Sequence, residues 1–345
     1  MLIVFISLPL QILIIKRVNR FRNFEMLPKI LNEAIDGLLL SIFKKAPFRL
    51  INRFLWLFHR NPTLGDKWGY YIRKFHYYDP LPNFSDITQE QVLKRRIPKA
   101  IDWNLEAQIN LIKKLSLYQS EIFHIKDDKD FNLKFNFFNN FYSEVDAAIY
   151  YTLIREIKPR KIIEIGCGYS TQIAALAIAQ NQQEGKTGKI ICIEPYPEPQ
   201  LVEANLDVEL LIERVENIDL KIFEQLSSGD VLFIDSTHTV KFGSDVCREI
   251  LEILPALASG VWIHFHDIFF PYDYPPQWLI EKRLAWNEQY MLEAFLAYNS
   301  HFEVVLANHW LSVDYPQEVA NIWPGVVNWE KDPYHHCAGL WLRKK

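Results

Sequence analysis

Lys161-Ile162-Ile163-Glu164-Ile165-Gly166-Cys167-Gly168-Tyr169-Ser170-Thr171 is the stretch that decides the fold. The apolar run broken only by Glu164 reads as a strand, Gly-Cys-Gly as a tight turn, and the Ala-rich residues 172–180 as a helix. Glycines let the backbone turn sharply and approach a ligand that a Cβ would block. The helix that follows aims free N–H groups and the positive end of its dipole at that ligand. Glu164 stands near the carboxyl end of the strand, the edge at which open α/β sheets bind ligands.

A dinucleotide fingerprint requires a third glycine, and Thr171 occupies that position. A carboxylate two residues before the first glycine suits an ammonium better than a pyrophosphate. The E-x-G-x-G pattern therefore resembles motif I of the class I S-adenosylmethionine (SAM)-dependent methyltransferases; a tight turn without a ligand is the plainer alternative. Residues 189–193 (KIICI) form a second strand ending in Glu194, placed to accept both hydroxyls of a ribose. The polar residues 181–188 lengthen the loop between the two motifs. The resemblance implies SAM as cofactor, with contacts from Glu164, Gly166, Cys167, Gly168, Tyr169, Ser170, Thr171, Glu194 and Asp235.

A chain of 345 residues makes one large domain or two modest ones, and with a net charge of −4 no basic surface advertises nucleic acid. The four cysteines show no paired spacing, which indicates a reduced, cytoplasmic-facing protein. Residues 1–15 are mostly apolar and are followed by Lys16, Arg17, Arg20 and Arg22. The run is short of the ~20 residues a spanning helix needs, and it lacks the basic start of a signal peptide. It reads as a buried or frayed helix, or as a membrane contact whose basic flank stays cytoplasmic. Two amphipathic patterns, 30–43 and 48–58, interleave with Lys44, Lys45, Arg49 and Arg53. Such a face lies on a bilayer or packs on a partner domain. Residues 1–100 are thus expected to be a helical, aromatic extension with membrane-surface contact through 1–60.

Residues 101–345 are expected to be the catalytic domain. It opens with an amphipathic helix over 101–118, with Asp102 as N-cap. Ser143-x-x-Asp146 starts another over 147–157, closed by Pro159. Beyond Glu194, helices are expected at 201–206, 219–226, 240–253 and 287–299. Strands are expected at 208–215, 230–235, 261–265, 302–306 and 339–343. This alternation predicts an α/β fold with a doubly wound, mostly parallel, seven-stranded Rossmann-like sheet. The last two strands, with no helix read between them, are expected to pair antiparallel.

The runs FIDSTHTVKFGSD, GVWIHFHDIFFPYDYP and WNEQYMLEAFLAYN are similar to the family-24 type of class I SAM-dependent methyltransferase domain. Trp103-Asn104 with Gln108, and the segment 146–159, fit the same group, so the resemblance covers about residues 103–343. It implies methyl transfer to a small molecule, a sugar or a surface polysaccharide; fold alone does not choose among them.

Asp235, His238, His266 and Asp267 follow the fourth and fifth strands and are expected to converge at the carboxyl edge. Methylating an oxygen requires the hydroxyl to lose its proton, which His238 or His266 beside Asp267 could accept as general base. Alternatively a divalent metal held by Asp235, His238, His266 and Asp267 lowers the hydroxyl pKa. Metal-dependent O-methyltransferases of similar fold place carboxylates at these strand ends. Histidines at two of the four positions shift the preference from Mg²⁺ toward a transition metal. Simple capping of the loops is the third reading. His335-His336-Cys337 also looks metal-like but lacks a second cluster, so loop residues are the plainer account. Tyr272, Tyr274, Trp278 and Trp286 lie in an aromatic loop that either stacks on a sugar or forms a structural lid. Two rival functions remain at this level: a nicotinamide oxidoreductase, and a non-catalytic SAM-binding or scaffold protein of a polysaccharide pathway.

Overall fold

The computed structural model describes residues 48–69, 76–127, 135–137, 139, 141–203, 205–328 and 337–345. The chain divides into two compact units, 1–80 and 81–345. In the first, helix α1 (Phe48–Arg60) precedes a short α2 (Pro62–Trp68). Among the described residues no helix is long and apolar enough to cross a membrane. Residues 81–100 are tied to the body of the second unit: the Arg96 amide donates to the Pro271 carbonyl (2.7 Å), and its guanidinium pairs with Glu293.

In the second unit, seven strands form one sheet among the described residues. They are β1 (Lys161–Ile165), β2 (Lys189–Ile193), β3 (Glu209–Leu211), β4 (Val231–Ile234), β5 (Trp262–Phe265), β6 (Phe302–Ala307) and β7 (Leu340–Lys344). Their order is β3-β2-β1-β4-β5-β7-β6, with β7 antiparallel to both neighbours and the other pairings parallel. The expected doubly wound, mostly parallel, seven-stranded sheet is therefore present. The expectation of no helix between the last two strands fails: Asn308–Asp314 and Pro316–Val319 are helical there.

Strand alternation sorts the core into two layers. Ile162, Cys192, Val231 and Phe233 face one layer, where α3 (Leu105–Leu115), α4 (Glu144–Ile157) and α5 (Tyr169–Gln183) pack. Ile163, Ile165, Leu232, Ile234, Ile263 and Phe265 face the other. That second layer is closed by α6 (Asp245–Arg248), its continuing π turn Glu249–Ile253, and α7 (Glu288–Leu296). The Ser143 hydroxyl caps α4 by accepting from the Asp146 amide (3.0 Å). Asp146, nearly fully buried, in turn accepts from Asn308 Nδ2 and from the Ala338 and Gly339 amides. One carboxylate thereby joins α4 to the residue that follows β6 and to those that precede β7.

The strand register positions the site. Ile165 is level with Ile193 on one side and Ile234 on the other, and Ile234 is level with Phe265. The residues that follow, Gly166, Glu194, Asp235 and His266, must then stand in a row along the carboxyl edge. Successive strands leave in opposite directions from β1 and β4, so a crevice opens between those two ends.

Candidate active site

At its carboxyl end the β1 backbone is bonded to both neighbours, β2 and β4. The Gly166 amide donates to the Ile193 carbonyl (3.0 Å) and the Asp235 amide to the Ile165 carbonyl (2.8 Å). Gly166 has φ +79°, and a Cβ there would lie 1.8 Å from the Asp235 carbonyl oxygen. No other residue fits. A Cβ on Gly168 would meet nothing within 4 Å, so the outer side of the turn is open at the N-terminus of α5. Backbone that bare beside a helix start suits a ligand approaching closely.

Glu194 borders this opening. Its carboxylate accepts from the Tyr196 amide (2.8 Å) and the Cys167 amide (3.3 Å), fixing it against the Gly turn while it stays half-buried. Glu164 is placed differently. As a β1 residue of even number it points into the α4–α5 layer, and it is fully buried. Tyr150 donates to Oε1 (3.0 Å) and Thr171 to Oε2 (2.5 Å), while the Thr171 hydroxyl accepts from the Gly168 amide (3.1 Å). The residue in the third-glycine position is thus the strut between Glu164 and the turn. Thr171 thus links the buried Glu164 carboxylate to the turn, and Cys167 Sγ lies within 4.8 Å of that carboxylate. Of the rest of the motif, Ser170 is buried in the first turn of α5, and Tyr169 stacks on Phe141.

Burial outweighs the bonds from Thr171 and Tyr150 and pushes the Glu164 pKa up from 4.5 to about 7. The unfolded chain gives up this proton near its ordinary value, the folded chain near 7. Stability owed to this group is therefore greatest in acid and falls as pH rises from about 4.5 to 7. Glu164→Gln carries no such loss. The variant should gain about 3 kcal/mol on the wild type between pH 5 and pH 8, read from denaturant midpoints. A gap that does not move with pH would contradict the buried, ionisable placement.

Beyond β4 and β5 the polar residues converge. His238 Nε2 lies 3.3 Å from Asp235 Oδ1 and 3.5 Å from Asp267 Oδ2, and His266 Nε2 lies 3.7 Å from Asp267 Oδ1. One ligand atom from each of Asp235, His238 and Asp267 lies within 4.8 Å of the others; His266 stands outside that trio. His238 and His266 are almost enclosed, whereas the Asp235 side chain is 34% exposed and forms the mouth. His238 and Asp267 both hold positive φ, +56° and +55°. Strain of this kind in residues with a Cβ gathers at functional sites.

A residue absent from the sequence reading completes the arrangement. Glu288, in the first turn of α7 and 1% exposed, places Oε2 2.8 Å from His238 Nδ1. The Asn287 amide donates to the His238 carbonyl (3.0 Å), and the Val240 amide donates to Asn287 Oδ1 (2.6 Å). The start of α7 therefore clamps the loop carrying His238. An acid in a first helical turn is also what the helix dipole favours, which hid this role. Burial opposes a charge on His238, but the bonds to Asp235 and Glu288, with the charge of Asp267, prevail and raise its pKa well above the ordinary imidazole value. The site thus stabilises a positive charge at this position.

The aromatic loop supports the niche from one side. Trp286 lies with its ring centroid 4.4 Å from that of His238, and Trp278 packs edge-on against Trp286 (5.0 Å). Tyr274 is buried and its hydroxyl accepts from the Gln289 amide (3.0 Å), so it is part of the scaffold. Gln289 also ties down the Phe269 amide and the Tyr272 carbonyl. His335 and His336 lie outside the described residues; Cys337 is buried, with Sγ 3.6 Å from Asp146 Oδ1. All four cysteines are free.

A protein-family model described as a methyltransferase domain matches residues 163–268. An uncharacterized protein of Archaeoglobus fulgidus is 30% identical over 164 residues, 45% of this chain and 73% of that one. Among solved structures the chain is similar to the O-methyltransferase TomG of Streptomyces achromogenes in complex with SAM. The two share 14% identity over 70% of this chain and 96% of that one, at a TM-score of 0.37. It is similar also to an O-methyltransferase of Bacillus cereus in complex with SAH, at 14% identity over 68% and 100% of the two chains and a TM-score of 0.37. The residues matched by the family model take in the Gly turn, Glu194, Asp235, His238, His266 and Asp267. Residues 163–268, which hold the Gly turn and the polar cluster, are thus similar to a methyltransferase domain.

Proposed function

We propose that the chain methylates a hydroxyl oxygen of a small-molecule or glycan acceptor, held over Asp235, His238 and Asp267. The observation that carries this reading is the convergence of those three groups one strand from the Gly turn. SAM supplies an electrophilic methyl group, and the acceptor hydroxyl must lose a proton as it is attacked. The open face of Gly168 and the α5 N-terminus fit the cofactor, and Glu194 is the acceptor for its ribose hydroxyls. The His238 imidazole, held by Glu288 through Nδ1, turns Nε2 toward the mouth between the two aspartates, where it takes the proton as general base. Asp235 and Asp267 then stabilise the imidazolium so formed. Trp286 and Trp278 offer aromatic surface for a sugar ring or other flat acceptor beside it.

A metal reading has its own support. The Asp235, His238 and Asp267 donors fit a divalent cation, and Glu288 holds the far nitrogen of the histidine as carboxylates do behind metal-bound imidazoles. Such an ion would lower the hydroxyl pKa and orient the oxygen. Chelator treatment separates the two readings: loss of turnover, restored by one added cation, favours the metal, and unchanged turnover favours the base.

Removing the ribose acceptor tests the cofactor half of the proposal. Glu194→Ala should weaken SAM binding by about 1.5–3 kcal/mol, roughly 10- to 150-fold by calorimetry, with little change in melting temperature. Unaltered affinity would remove Glu194 from the site.

A further inference from the structure

We propose that α1 docks the protein flat on an anionic membrane surface. The helix runs Phe48–Arg60. Leu50, Ile51, Phe54, Leu57 and Phe58 are spaced i, i+1, i+4, i+7 and i+8, which places them on one face of a helix. Arg49, Asn52, Arg53 and Arg60 fall on the opposite face. A stripe of this width is ordinarily turned against a core. Here Leu50 is 42% exposed, Phe54 50% and Leu57 46% among the described residues.

The charge around that face identifies the occupant. No acidic residue lies between Asp36 and Asp66, while Lys44, Lys45, Arg49, Arg53 and Arg60 all do, although the whole chain is acidic at −4. A cationic segment on an acidic protein is complementary to phospholipid headgroups of negative charge. Thirteen residues span only about 20 Å, too short to cross the hydrocarbon layer, so the helix lies in the interface. Trp56 sits at the cationic side with the Arg60 guanidinium 5.2 Å from its ring centre, a pairing suited to headgroup depth. The arginines reach headgroup phosphates while the apolar stripe enters the acyl boundary. This inference is independent of the reading of the catalytic residues.

The test is co-sedimentation of the full chain with vesicles of phosphatidylcholine alone, or with about 30% phosphatidylglycerol added. Binding should be at least about tenfold stronger to the anionic vesicles and should fall in about 0.5 M salt. Phe54→Asp with Leu57→Asp should abolish it, and Arg49→Glu with Arg53→Glu should erase the preference for phosphatidylglycerol. SAM affinity, measured alongside, should be unchanged in both variants and reports an intact second unit. Three results would overturn the proposal: equal binding to both vesicles, full binding by the Phe54/Leu57 variant, or no vesicle binding. If no binding is accompanied by self-association that the Phe54/Leu57 variant loses, a second copy covers the face instead.

Discussion

His238→Ala should lower methyl transfer by about 10²–10⁴ while SAM affinity barely moves. The imidazole touches both aspartates of the mouth through Nε2 and neither the Gly turn nor Glu194, so its loss falls on the reaction rather than on the cofactor. The pH profile carries an independent signature. A base must be neutral to accept a proton, and the surrounding carboxylates raise the His238 pKa well above the ordinary value. Turnover should therefore climb as pH rises past neutrality, and that climb should vanish in His238→Ala. Glu288→Gln, keeping the shape but not the charge behind Nδ1, should move the climb to lower pH, since it removes one of the contributions holding the proton on. A wild-type profile in the alanine variant would assign the chemistry elsewhere.

Gly166→Ala should cost about 3 kcal/mol or more and leave little folded protein. The added methyl would be driven into the Asp235 carbonyl, at 1.8 Å, from a backbone with φ +79° that disfavours any Cβ. Neither strand can withdraw, because the Ile165 carbonyl is bonded to the Asp235 amide and the Gly166 amide to Ile193. Gly168→Ala, two residues on, is the informative contrast. Its Cβ meets no protein atom, so the variant should fold with near-native stability and lose SAM affinity by occupying the ligand's space. Should Gly166→Ala melt like the wild type, the close approach of Gly166 to Asp235 would be contradicted.

The sheet was legible because its strands are short apolar runs that end in a polar residue or a glycine, and the ends of β1, β2, β4 and β5 carry the candidate site. Glu164 illustrates what motif matching alone overlooks. Period-two alternation puts it on the face of Ile162, inside the α4–α5 layer, and the Thr171 hydroxyl makes the link that a third glycine could not. The helix expected at 240–253 begins only at Asp245. Val240 fits the apolar period, but Gly243 adopts φ +65° and Ser244 caps the helix by accepting from the Cys247 amide. That delay frees residues 236–243 to form the loop that carries His238. Similarly, the expected Asp102 cap gives way to Asn104, whose left-handed backbone starts α3 while Asp102 accepts from its amide. Glu288 was hidden because its partner lies fifty residues away, across a loop whose path only tertiary packing defines.

The most direct test of oxygen methylation at the Asp235–His238–Asp267 niche is transfer of a labelled methyl group from SAM across a panel of hydroxyl-bearing small molecules, nucleotide sugars and glycans. The product is then analysed for the methylated atom. The account predicts label on a hydroxyl oxygen in the wild type, and its loss in Asp235→Ala and His238→Ala under conditions where both still bind SAM. Label on nitrogen or carbon, or undiminished transfer by both variants, would contradict it.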